Sequence, residues 1–224
     1  MKTKQNSRSQ SGFTVVELMI ATVVSALMLV VITFGIVHFT SDYYKGVNTS
    51  STQTATQNAI DSIAQAIEFN ATGTVATDGT QGIFCAGSQV FLYTMGKALN
   101  AAPSATNWGL YQLNNPSANC IIPADTSDGT ELLSPNMRLS VMNLSEIGST
   151  DVWQLDIRVA YGDADLLCRP SITGTSTGSC NAGATDYAAS DLIQGSDVTC
   201  KIKIGSQFCS VVHLSTAIGQ RVKN

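Results

Sequence analysis

The chain has 224 residues, only 12 % of them charged, with a formal charge of −4 and six cysteines. That length holds one domain of ordinary size plus an appendage, and a surface rich in Ser, Thr, Asn, Gln and Gly suits an exported β-rich body more than a cytosolic enzyme. Setting aside Lys2, Lys4 and Arg8, which precede Gly12 with no acid among them, leaves 9 basic residues against 16 acidic ones, a balance of −7. Such a body has little to attract it to nucleic acid.

The first predicted element follows that basic lead. Residues 18 to 37 form 20 consecutive uncharged, mostly apolar residues, about 30 Å as a helix, which matches a bilayer core. The preceding cations place the amino terminus in the cytoplasm and the body outside. A secretory signal has the same charge order, but its small-x-small cleavage site follows the apolar run. Here "GIVHFTSDYYKG" follows, with no such pattern, whereas Ser11-Gly12-Phe13 lies before the run. Glu17 sits just inside the apolar segment. A carboxylate in hydrocarbon costs about 2.5–3.5 kcal/mol on insertion scales, so it needs either a partner or a position at the hydrated interface.

The stretch "GFTVVELMI" resembles the leader junction of type IV prepilins and the related pseudopilins of type II secretion. Gly12, Phe13 and Glu17 stand at the family's glycine, aromatic and glutamate, with Val15 where leucine is commoner. The resemblance covers about the first 40 residues. It implies that a prepilin peptidase, a membrane-embedded aspartyl protease, cuts between Gly12 and Phe13 and N-methylates Phe13. It also implies that Glu17 pairs with the Phe13 amine, of its own chain or of the subunit ahead, setting axial register during filament assembly. Physical reasons accompany each role. Glycine enters a narrow cleft without a side chain, and a carboxylate buried in apolar surroundings needs a cationic or hydrogen-bonding partner. Other pilin or pseudopilin subunits and an inner-membrane assembly platform are the implied partners. The implied location is the bacterial cytoplasmic membrane, single-pass with the body outside, then a cell-surface pilus or periplasmic pseudopilus.

No proline occurs before Pro103, so nothing forbids one long helix from residue 13 to about 69, some 85 Å at about 1.5 Å per residue. Gly35, Gly46 and the Thr/Ser-rich 49–56 stretch are weak helix formers where it could kink. Ala55, Ala59, Ile60, Ile63 and Ile67 recur at helical spacing, predicting an amphipathic second half that needs a partner surface. Asn70-Ala71-Thr72-Gly73 is expected to end it. Four segments follow: a leader at 1–12, an apolar membrane and assembly helix at 13–38, its amphipathic continuation at 39–70, and a β-rich body at 71–224.

In the body the period changes to two. "VWQLDIRVAY" alternates cleanly, "MRLSVMNL" more loosely, and "QVFLYTM" and "GLYQL" are shorter strand candidates. "VTCKIKIGSQFCSVVHL" reads as a hairpin turning at Gly205-Ser206. The fold class is α+β and pilin-like: a long amino-terminal helical spine packed on an antiparallel sheet. Trp108 and Tyr111 sit among turn formers and more often cap a small core than mark a contact face.

Cys85, Cys120, Cys168, Cys180, Cys200 and Cys209 all lie beyond the apolar run. An even count in an exported body reads as three disulfides with fifteen possible connectivities. Nearest-neighbour pairing (85–120, 168–180, 200–209) is the expectation. A two-residue loop at Gly205-Ser206 would leave Cys200 and Cys209 diagonal across the hairpin, so direct pairing needs a four-residue loop, Lys203 to Ser206. Without C-x-x-C, and with only His38 and His213 to help, zinc is the weaker reading.

No H-E-x-x-H, P-loop, G-x-S-x-G or G-x-G-x-x-G pattern occurs. Asp163/Asp165 and Asp125/Asp128 lack EF-hand spacing and read as solvated turns. The chain is therefore expected to be no enzyme, with no metal and no cofactor. Three functions remain: a structural minor pilin that joins or primes a type IV pilus, a minor pseudopilin of type II secretion, or a membrane-anchored exported adhesin or enzyme. The closing "VVHLSTAIGQRVKN" is loosely similar to the ends of larger minor pilins and pseudopilins.

Overall fold

The computed structural model describes residues 13–70, 73–78, 81–97, 109–114, 120, 128–148, 151–169, 185–186, 193, 195, 198–202 and 205–221. Gly12 and the rest of the leader, Trp108, Asp125 and Cys180 lie outside them. Two compact units divide at Tyr43/Tyr44, and helix α1, Val15–Phe69, contributes to both.

In the first unit the apolar side chains of α1 are exposed all round, from Val15 to Val37. The helix is long and apolar enough to cross a membrane. Its threonine hydroxyls bond locally: Thr22 donates to the Met19 carbonyl (2.8 Å) and Thr33 to that of Leu29 (2.7 Å). Such back-bonding lets threonine sit in hydrocarbon without an orphan donor.

In the second unit α1 buries Thr52, Ala55, Thr56, Ala59, Ile63, Ala66 and Ile67, the 3–4 spacing of one helical face. Ile60, expected on that face, is half-buried at its margin. The alanines let the helix backbone approach the sheets, and Ile63 and Ile67 fill the gap between. The helix end is held by one local bond and two from distant chain. Asn70 Nδ2 donates to the Ala66 carbonyl (2.7 Å), Arg221 N to that of Glu68 (3.1 Å), and Gln220 Nε2 to that of Asn70 (2.8 Å). These bonds satisfy carbonyls that a helix terminus leaves open.

Opposite the helix lie two antiparallel sheets. The first is a meander of β1 (Gly73–Asp78), β2 (Gln81–Ala86), β3 (Gln89–Thr94), β4 (Leu110–Asn114) and β5 (Thr130–Glu131). The second comprises β6 (Met137–Glu146), β7 (Val152–Tyr161) and β11 (Ser210–Gly219), with β7 central. A parallel bridge between Met95 and Leu139 joins the two. Their inner faces meet α1 in one core that includes Phe84, Phe91, Leu110, Met137, Leu155, Ile157 and Val159. The fold is α+β and pilin-like.

Strand β7 alternates as its sequence predicts, with Leu155, Ile157 and Val159 buried. The looser pattern of β6 has a physical cause. Its register slips between Leu139 and Val141, so Ser140 is a bulge residue. Met137 and Leu139 face the core before it, Met142 after it, and one inserted residue inverts the parity. Strand β2, which has no alternation in sequence, is buried on both sides. Phe84 and Ala86 join the main core, while Ile83 and Cys85 join a second cluster with Val90, Leu92, Tyr111 and Leu113.

The expected hairpin over 198–214 does not form. Strands β8 (Leu167–Arg169), β9 (Thr185–Asp186) and β10 (Thr199–Cys200) make a third small sheet, in which Cys200 pairs with Leu167. Gly205, at φ 95°, then opens a 3-10 turn at Ser206–Phe208, and β11 pairs with β7 along ten residues. The longer alternating partner wins the strand. The diagonal constraint therefore disappears, and Cys200–Cys209 closes a loop between sheets with Cα atoms 5.8 Å apart. Cys85–Cys120 has the same separation. Cys168 is disulfide-bonded too, and its expected partner Cys180 lies outside the described residues.

Glu131 anchors the start of β4. Its carboxylate accepts from Gly109 N (2.8 Å), Leu110 N (2.8 Å) and Leu133 N (3.1 Å). Burial pushes its pKa above the ordinary 4.5, opposed by those backbone donors. Glu131→Gln loses one acceptor and should lower stability by about 1–2 kcal/mol at neutral pH. Because the folded pKa is raised, wild type gains stability as pH falls through that value toward 4.5. The variant has nothing to titrate there. The Tm gap between the two should widen on acidification, and a gap that narrows would contradict the burial.

Candidate functional site at the head of the helix

The sequence places Thr14-Val15-Val16-Glu17 at the start of α1, and the geometry there is a capping box. Thr14 N donates to Glu17 Oε2 at 2.9 Å and Thr14 Oγ1 donates to the same oxygen at 3.0 Å. In return Glu17 N approaches Thr14 Oγ1 at 3.3 Å. A first-turn carboxylate also suits the positive end of the helix dipole. The signal for this was present in sequence as T-x-x-E before an apolar run, and its residue Thr14 is the one that the reading of Gly12, Phe13 and Glu17 passes over.

Both donors converge on Oε2, and no described group bonds Oε1. Phe13, one residue outside the cap, is 85 % exposed. Along the same side of α1, Ala21 and Ser25 succeed Glu17 at intervals of four, leaving a shallow apolar groove floored by small side chains and bordered by Ile20, Val24 and Met28. The head of the helix thus presents one carboxylate oxygen and a close-approach surface on the same face. In the uncut chain Phe13 N is a peptide nitrogen, and cleavage after Gly12 would turn it into a cation one residue from the cap.

Elsewhere, chemistry-bearing residues pair across strands or bond to backbone. His213 Nε2 pairs with Asp156 Oδ1 across β11 and β7. Arg138 is buried, donates from Nη2 to the Gly162 carbonyl at 2.8 Å, and has its pKa lowered by desolvation against the charge of Asp163. Among the described residues no group of three or more His, Cys, Asp or Glu side chains comes together.

Residues 7–33 match the family model described as the prokaryotic N-terminal methylation motif. That motif is the signature of type IV pilins and pseudopilins. No curated protein and no solved structure matches the chain. The motif, which spans the head of the chain, supports a type IV pilin/pseudopilin-like protein. The motif implies prepilin-peptidase processing and pilin-type assembly, points to a structural role, and with the apolar helix fits membrane anchoring.

Proposed function

We propose that this protein is a structural minor pilin, cut between Gly12 and Phe13, N-methylated at Phe13, and carried into a type IV pilus by its amino-terminal helix. Residues 1–12 serve as leader, 13–38 as the membrane and assembly helix, 39–70 as its continuation in the body, and 71–224 as the exposed body. The observation that carries this reading is the single carboxylate at the head of a bare apolar helix, bonded to Thr14 through one oxygen only. The second oxygen is then available to the Phe13 amine of its own chain or of the subunit ahead. In a filament interior such a pair offsets a burial that neither charge tolerates alone. Ala21 and Ser25 support the same reading, because small residues allow close helix–helix approach where lipid is the competing solvent. The 212 residues left after cleavage (224 − 12) and the disulfide-bonded body favour a minor subunit over a plain repeating one.

The test is mass spectrometry of filaments sheared from cells. The chain should be present, beginning at Phe13, at a small ratio to the principal subunit. Absence from surface filaments together with secretin-dependent periplasmic assembly would replace this reading with the pseudopilin one.

A further inference from the structure

Where α1 ends over the first sheet, the packed face changes chemistry. Under the helix that face carries Phe84, Phe91, Tyr93 and Leu110. Past the helix end the same face continues with Gln89, two residues before Phe91 on β3, and Gln112, paired with Phe91 from β4. These amides, with Ser62, Gln65 and Phe69 of α1 and Asn70 just past its end, line a cleft of about 270 Å³. None of the six carries a charge.

The walls are held before any ligand arrives. Gln112 Nε2 donates to Gln89 Oε1 at 2.8 Å, and whichever way the two amides are oriented, one NH₂ and one carbonyl oxygen are left over. Asn70 is tied to the Ala66 carbonyl (2.7 Å), and its side chain fills the space that a Cβ on Gly87 would take. Ser62 Oγ donates to the Asn58 carbonyl (2.8 Å), which leaves it as an acceptor. At the rim Phe69 is 61 % exposed, an apolar ring that the core does not use.

We propose that this cleft binds a neutral saccharide. Paired donors and acceptors without charge match hydroxyl groups, each of which is both. An exposed ring beside them offers a face for the C–H side of a pyranose. An ionic ligand would find no counter-charge among the described lining residues, and an apolar one would strip water from four amides. The volume lies just below the roughly 300–1,000 Å³ of drug-sized sites, which suits one sugar ring of a longer glycan.

The test is saturation-transfer NMR on the full chain in lauryldimethylamine oxide micelles, a detergent with no sugar headgroup. The probes are millimolar methyl glycosides of glucose, galactose, mannose and N-acetylglucosamine, with the neutral peptide Gly-Ser-Gly-Ser as comparison. At least one glycoside should show transfer, strongest at ring C–H protons. Phe69→Ala and Gln65→Ala should each weaken its binding about tenfold while thermal unfolding stays unchanged. Gln65 is an exposed helical position, so its alanine variant keeps the test decisive if the Phe69 variant folds poorly. No transfer to any glycoside, transfer to the peptide alone, or binding unaltered in Gln65→Ala would overturn the proposal.

Discussion

Glu17→Gln should be cleaved at the normal position and yet be depleted from filaments by about a hundredfold or more. Glutamine is accepted at the third position of a capping box, so the bonds from Thr14 N and Oγ1 survive. Only the charge is lost. If Glu17 pairs with the Phe13 amine inside the filament, the substitution leaves that cation buried without its counter-ion, and breaking such a pair costs about 3–5 kcal/mol. Thr14→Ala makes the opposite change, keeping the charge and removing one side of the cap, at a helix cost of about 0.5–2 kcal/mol. That variant should assemble at reduced yield. Quantifying both chains in cell membranes and in sheared filaments separates the two roles. Normal assembly of Glu17→Gln would reduce Glu17 to a cap.

The second large effect belongs to the body. Ile63 is wholly buried where α1 meets both sheets, so Ile63→Ala should destabilise the body by about 2–5 kcal/mol. The neighbouring Ile60 is only partly buried, and its alanine variant should lose less than about 2 kcal/mol. Urea unfolding with disulfides intact measures both. The midpoint should move while the slope stays constant, the mark of a change in stability alone. Equal losses at the two positions would contradict the helix face described here.

How much was legible in the sequence depends on how many faces each element buries. The second half of α1 packs one face, and its 3–4 spacing gave Ala55, Ala59, Ile63 and Ile67 correctly. Strand β7 hides chiefly one face, with Ala160 alone wholly buried on the other, and its alternation was plain. Strand β2 hides both, so its apolar residues form a run with no period to detect. The bulge at Ser140 blurred β6 because one extra residue inverts the inside–outside rule. The false hairpin over 198–214 came from judging a turn by its residues alone. Gly205 does turn the chain, but the strands on either side pair with β8 and β7, partners remote in sequence. The head of the helix was readable because its pattern is local, although T-x-x-E shares its glutamate with the Gly12–Glu17 spacing. The amide cleft was not readable, since Gln65, Gln89 and Gln112 meet only once the helix end lies over the sheet.

A single determination bears most directly on the whole scheme: intact mass and amino-terminal sequence of the protein from membranes of cells with an active prepilin peptidase. A chain starting at an N-methylated Phe13, and an uncut one in cells lacking the peptidase, is the expected result. A protein that still begins at Met1 would have no Phe13 amine for Glu17 to meet, and one cut beyond His38 would have lost both Glu17 and the apolar helix that carries it into a filament. Either result would contradict the account.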